Sequence, residues 1–138
     1  WTKLYDPSRR TLKSLPEYVG ETANTAAQYI DWVTPGENLT VTDLAPGSGA
    51  VVRVGGCKIA AYRDEGGTLH QHSAMCPHLG GLVRWNSYEK TFDCPCHGSR
   101  FDPFGEVLNG PANVPLSDLP EEKPAEAGVL LAEEIPAT

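Results

Sequence analysis

Cys76-Pro77-His78-Leu79-Gly80-Gly81 and Cys94-Pro95-Cys96-His97-Gly98-Ser99 decide how this chain of 138 residues is read. Each stretch sets a thiol and an imidazole within a few residues of each other, and the flanking prolines and glycines predict tight loops. Brought together, two such loops supply two sulfur and two nitrogen donors, Cys76, His78, Cys94 and His97. That mixture points to a metal centre. A tetrahedral structural zinc is one candidate, although zinc sites usually space a cysteine pair and a histidine pair and not two Cys-His pairs.

Composition bounds the rest. The length suits one core of moderate size. Forty percent apolar content with 14 Gly and 12 Pro predicts short strands and turns, not a helical bundle. A net charge of -7 argues against nucleic acid or an anionic membrane as partner, and suits solubility or a basic docking protein. No signal peptide and no run of about 18 apolar residues is evident, so no membrane anchor is expected. Of the 4 cysteines, Cys57 and Cys96 remain outside the donor set. Cys96 is expected as a small buried side chain beside the centre and Cys57 as a structural residue of a strand. A metal centre with free thiols points to a reducing, cytoplasmic compartment.

Along the chain, residues 11–33 read as a helix. Ser14 and Glu17 offer a capping box, Pro16 lies in the first turn, and Val19, Ala23, Ala26, Ile30 and Val33 recur at helical spacing; Pro35-Gly36 ends it. Strands follow over residues 40–44, 50–54 and 58–62, with Gly55-Gly56 as a hairpin turn. Residues 64–67 make the next turn, and residues 68–74 lead to the first Cys-His loop. Residues 82–85 and 91–93 form a hairpin joining the two loops, residues 100–101 pair with 106–108, and residues 129–133 close the sheet. Residues 120–127 read as a solvated loop. His70 and His72 share one strand face and read as surface or edge residues outside the site. Trp85 and Phe101 read as core.

The two Cys-His stretches resemble the Rieske iron-sulfur domains of the cytochrome bc type, over roughly residues 37 to 135. The resemblance implies a mainly β fold, an antiparallel β-sandwich with cluster-binding loops, here preceded by an N-terminal α-helix. It implies a 2Fe-2S cluster with Cys76 and Cys94 on one iron and His78 and His97 on the other; neutral imidazoles raise the potential above that of all-cysteine clusters. Ser99 matches a serine whose hydroxyl donates to a bridging sulfide, and Gly110-Pro111-Ala112 fits a third loop covering the cluster. High-potential members carry a tyrosine where this chain has Phe101. They also join the two loops by a disulfide, for which this chain has Gly81 opposite Cys96. These losses predict a potential below the top of the Rieske range of about -150 to +300 mV. Leu79 stands where oxygenase Rieske domains usually place arginine.

A second resemblance concerns the start of the chain. Tyr5-Asp6-Pro7-Ser8-Arg9-Arg10-Thr11, then Tyr29-Ile30-Asp31-Trp32-Val33 and Pro35-Gly36-Glu37, looks like the junction in bacterial FAD-dependent oxidoreductases of the amino-acid-oxidase type that carry a C-terminal Rieske domain. The chain starts at Trp1 and not Met, which reads as a processed chain or a piece of a longer one. Residues 1–36 would then end a flavin domain, and residues 37–138 form the Rieske domain. No Gly-x-Gly-x-x-Gly fingerprint opens a βαβ unit, so FAD is expected only upstream. The implied role is one-electron transfer from a flavin domain or other donor to an unidentified acceptor, with no catalytic site in this chain. A free-standing Rieske ferredoxin serving an oxygenase and a structural metal-binding module are the alternatives.

Overall fold

Alternating apolar residues separated by glycine and proline fold here into two antiparallel sheets. The computed structural model describes residues 5–6, 12–34 and 39–119. One sheet has the order β1-β2-β3, with β1 at Ser48–Val54, β2 at Cys57–Arg63 and β3 at Leu69–Ser73. The other runs β4-β5-β6-β7, from Arg84–Asn86 through Thr91–Asp93 and Arg100–Phe101 to Val107–Asn109. Gly55 and Gly56, at φ 54° and 85°, close β1 onto β2 in the two-residue turn their sequence predicts. Chain order and spacing predict the hairpins β1–β2, β2–β3, β4–β5 and β6–β7, each of which pairs antiparallel, and β5 also pairs antiparallel with β6 across the second Cys-His stretch.

Strand alternation sends the central strand's side chains into two cores. Ile59 and Ala61 pack with Val41, Leu44 and Val52 on one face, and Ala60 packs on the other with Phe92, Phe101, Cys76 and Cys94. All three β2 residues are almost fully buried, and the alanines leave room for both layers. Phe92 and Phe101 stand opposite each other across β5 and β6 and expose nothing. Burying such a ring contributes about 2–3 kcal/mol, which makes this pair the floor under the Cys-His loops.

Several expectations are corrected. Residues 40–44 form no strand: Val41–Asp43 is a 3-10 turn, because the Asp43 carboxylate accepts from both the Thr40 N–H (2.9 Å) and the Thr40 hydroxyl (2.8 Å). That local capping box outcompetes a sheet ladder. The helix is real, with a 3-10 turn at Leu12–Ser14, α1 at Leu15–Gln28 and a second 3-10 turn at Tyr29–Trp32. Its predicted cap does not form, since Ser14 already has helical backbone angles and makes no side-chain capping bond. The apolar stripe is not buried either: Val19, Ile30 and Val33 are all more than half exposed. Instead the helix end is attached through polar groups. The expected helix stop at residues 35–36, the boundary between residues 36 and 37, most of residues 5–11, the loop at 120–127 and the strand at 129–133 lie outside the described residues. No described helix is long and apolar enough to cross a membrane.

Candidate metal centre

Both Cys-His stretches form the same loop. In the first, the Cys76 N–H donates to the Gly81 carbonyl (2.8 Å) and the Gly80 N–H to the Cys76 carbonyl (2.9 Å); in the second, Cys94 donates to Ser99 (2.8 Å) and Gly98 to Cys94 (2.9 Å). Gly80 and Gly98 hold equivalent places with φ of 73° and 78°, a region that side chains rarely adopt. Each loop sits on a β-hairpin. The bridge between Met75 and Leu82 closes the first, and β5 and β6 flank the second.

This geometry divides the four donors into two pairs. Cys76 and Cys94 are 1% and 3% exposed and belong to the main core. His78 is half-buried and His97 exposed, and their rings lie 4.9 Å apart between centroids at an interplanar angle of 86°. Among the described residues no three Cys, His, Asp or Glu side chains converge on one point, as a mononuclear site would need. Paired sulfur on the inside and paired nitrogen on the outside could hold two metals with one pair each, which is the donor set of a mixed-ligand 2Fe-2S cluster.

The electrostatics at Cys76 set burial against hydrogen-bond donors, and burial prevails. Burial pushes the Cys76 thiol up, helped by Cys94, while the His78 backbone N–H and the Ser99 hydroxyl pull it down. Ser99 is fully buried, and its oxygen accepts from the Ala112 N–H at 3.0 Å, so its own hydrogen is left for the sulfurs. The predicted third loop, Gly110-Pro111-Ala112, therefore acts through Ser99. At the entry to the second loop, Asp93 accepts from Asn86 (3.0 Å), Thr91 (2.8 Å) and Arg100 (3.0 Å). Burial works to raise the Asp93 pKa, but these three donors hold it below the usual carboxylate range.

Gly81 stands where any side chain would meet the cysteines. A Cβ there would lie 2.5 Å from Cys96 Sγ and 3.3 Å from Cys94 Sγ. None of the four cysteines forms a disulfide. Cys96 is half-buried and not fully buried as expected, and Cys57 is the first residue of β2, within a strand as expected, with its side chain exposed. His70 pairs with Asp64 at 3.0 Å; His72 packs its ring against Gly105, 3.6 Å from Asp118.

Two residues that reach the centre escaped the sequence reading. Tyr29 Oη donates to the Leu79 carbonyl (2.7 Å) and Trp32 Nε1 to the Gly80 carbonyl (2.9 Å). Their i, i+3 spacing puts both on one helix face, which is the only signal the sequence carried. Loss of solvent, then the charges of Cys96, Cys94 and Cys76, push the Tyr29 phenol up. Arg84 adds a bond to Asp31 (2.6 Å) and another to Gln28 (2.9 Å). A groove of about 570 Å³ between α1 and the second loop, lined by Tyr18, Thr22, Tyr29 and His97, leaves the His97 ring approachable.

Comparison with known proteins agrees with this construction. The profile of the Rieske [2Fe-2S] domain matches residues 36–120, and the chain belongs to that family. It is 40% identical over 120 residues to the protein named Rieske 2Fe-2S iron-sulfur protein YhfW of Bacillus subtilis (strain 168), covering 86% of this chain and 24% of that one. It is 37% identical over 83 residues to the cytochrome b6-f complex iron-sulfur subunit of Chlorobaculum tepidum, covering 55% of this chain and 46% of that one. The chain thus spans a quarter to a half of the length of these relatives. Among solved structures, the plasma membrane Rieske protein of Synechocystis PCC 6803 is 28% identical at a TM-score of 0.46, covering 50% of this chain and 71% of that one. A domain of this family binds a 2Fe-2S cluster and transfers electrons to or from partner proteins.

Proposed function

We propose that Cys76 and Cys94 hold one iron and His78 and His97 the other, with Ser99 as a donor to the sulfur side, and that the chain relays single electrons within a flavin-dependent oxidoreductase. The observation that carries the assignment is the division of donors into a buried thiol pair and an outward imidazole pair. When bound, the cluster takes up and returns one electron at a time. The surrounding residues set the conditions for this. Buried Cys76 and Cys94 must release their protons as metal binds. Phe92 and Phe101 keep water from the sulfur side, and exposed His97 offers the short route to a partner. Phe101 cannot donate a hydrogen bond and Gly81 cannot tie the loops covalently, which favours a potential below the top of the family's range of about -150 to +300 mV.

The wider setting belongs to the same proposal. Residues 1–36 end an FAD-containing domain and residues 37–138 form the Rieske domain, with the flavin as electron donor. Support comes from the junction-like residues 5–11 and 29–37, and from the match to a fraction of the much longer YhfW. Four cysteines without a disulfide favour a reducing, cytoplasmic setting. The test is electron paramagnetic resonance of the dithionite-reduced protein with metal and sulfide analysis. Equimolar iron and sulfide with the rhombic signal of a histidine-ligated cluster is expected; zinc without a signal overturns the ligand assignment. Absence of flavin from the longer native protein would overturn the oxidoreductase setting alone.

A further inference from the structure

The first loop's own backbone bonds use two of its carbonyls. Cys76 O and Gly81 O are taken within the loop, by the Gly80 and Cys76 N–H groups, whereas Leu79 O and Gly80 O accept no bond from the loop's own N–H groups. Both are capped by side chains from the segment that precedes the sheets, Tyr29 at 2.7 Å and Trp32 at 2.9 Å. Among the described residues no side chain donates to the equivalent carbonyls of the second loop, those of His97 and Gly98. The two loops have the same internal bonds, and no disulfide joins them. The attachment is therefore particular to one loop and is made by two donors one helical turn apart.

From this asymmetry we infer that Tyr29 and Trp32 are positioning residues for the metal centre, holding the loop that carries Cys76 and His78 and draining the negative ends of two carbonyl dipoles beside it. The inference rests on the assignment of Cys76 and His78 as cluster ligands. Its physical content is twofold. A loop with two tethered carbonyls samples fewer conformations, so His78 keeps its orientation. Two carbonyl oxygens whose charge is shared with N–H and O–H donors oppose added negative charge less than bare ones, so the tethers favour the reduced state. Arg84 braces the same face through Asp31 and Gln28, which keeps both donors in register with the loop.

The experiment compares the iron-loaded protein with Tyr29→Phe, with Tyr29→Phe/Trp32→Phe, and with Tyr88→Phe as a control in the exposed turn between β4 and β5. Tyr29→Phe removes one oxygen atom and keeps the ring, so it serves if the double variant fails to fold. Midpoint potential, electron paramagnetic g values and hydrogen exchange of peptides spanning residues 76–81 are read on each. The expected result is a lowered midpoint in Tyr29→Phe, a further fall in the double variant, and exchange about tenfold faster in residues 76–81 once both bonds are gone. Tyr88→Phe should match the parent in all three. Unaltered iron and sulfide content would show that the variants still hold the cluster, so that a changed midpoint reports the tethers and not its loss. A midpoint and g values equal to the parent's, in variants that hold the full cluster, would overturn the inference.

Discussion

Loop 76–81 and loop 94–99 close with the same two backbone hydrogen bonds, yet the first is braced from outside the sheets by Tyr29 and Trp32 and the second from inside by Ser99, Ala112 and Asp93. Identical local sequence logic thus yields two loops with different supports. The difference teaches that a ligand loop's shape is written in its own Cys-Pro and glycine positions, while its stiffness and contact with solvent come from residues elsewhere. On the inner side Ser99 and Ala112 are buried and Asp93 is half-buried. On the outer side the supports are exposed or half-buried.

The most severe way to break the comparison is to remove the feature the loops share. Cys76→Ser and Cys94→Ser each withdraw a thiolate from a pair that lies within the main core. Both variants should lose the cluster entirely, seen as iron at background and no paramagnetic signal after reduction. Retention of a full cluster in either one would remove that cysteine from the ligand set.

The next test separates the loops. Gly81 ends the first loop where Ser99 ends the second, and an added Cβ would press on Cys96 Sγ at 2.5 Å. Gly81→Ala should therefore cost about 2–3 kcal/mol, as overpacking of a filled site does. Its measure is the temperature at which the loaded protein loses its visible absorbance. Cys96→Ala in the same chain removes the sulfur that is struck, and should recover most of that loss. A double variant no more stable than Gly81→Ala would place the strain in the backbone and not at Cys96.

Ser99→Ala attacks the inner support of the second loop. It strands the buried Ala112 N–H, which costs about 1–2 kcal/mol, and removes the hydroxyl that lowers the Cys76 thiol. Full cluster content with a lowered midpoint is expected in a redox titration. An unchanged midpoint would mean that the Ser99 hydrogen does not serve the sulfurs.

How much of this was legible follows from which forces act locally. The two Cys-His loops, the hairpin turns at Gly55-Gly56 and after Asp64, and the buried Phe101 are all readable because short-range periodicity and turn chemistry decide them. Residues 40–44 misled because their apolar alternation competes with an equally local signal, Thr40 with Asp43, and the capping box prevailed. The helix misled in another way. Its apolar stripe predicts a buried face, but the attachment is made by Tyr29, Trp32 and Asp31, whose partners lie some fifty residues away in the chain. No pattern within residues 11–33 encodes that pairing. The space between Gly81 and Cys96 was foreseen only as a missing disulfide, whereas the fold sets Cys96 Sγ where a side chain at position 81 would press on it.

The smallest effect concerns the strands that feed the loops, β3 carrying His72 and β5 carrying Asp93. Burial lowers the His72 pKa, partly opposed by Asp118 and Asp102 and aided by the like charge of His70. A histidine with a folded pKa below its unfolded one contributes stability that is complete above the unfolded value of about 6.5 and is lost as pH falls through the folded value. Asp93, also depressed, loses its contribution only in the carboxylate range well below that window. Between about pH 7.5 and pH 5.5, therefore, the strand leading to the first loop should weaken while the one leading to the second does not. Urea denaturation of the loaded protein at those two values, with and without His72→Gln, isolates the effect from the other histidines. The parent should lose more stability on acidification than the variant. Equal losses would mean that the neighbouring carboxylates offset the burial of His72, and that the two strands answer to pH alike.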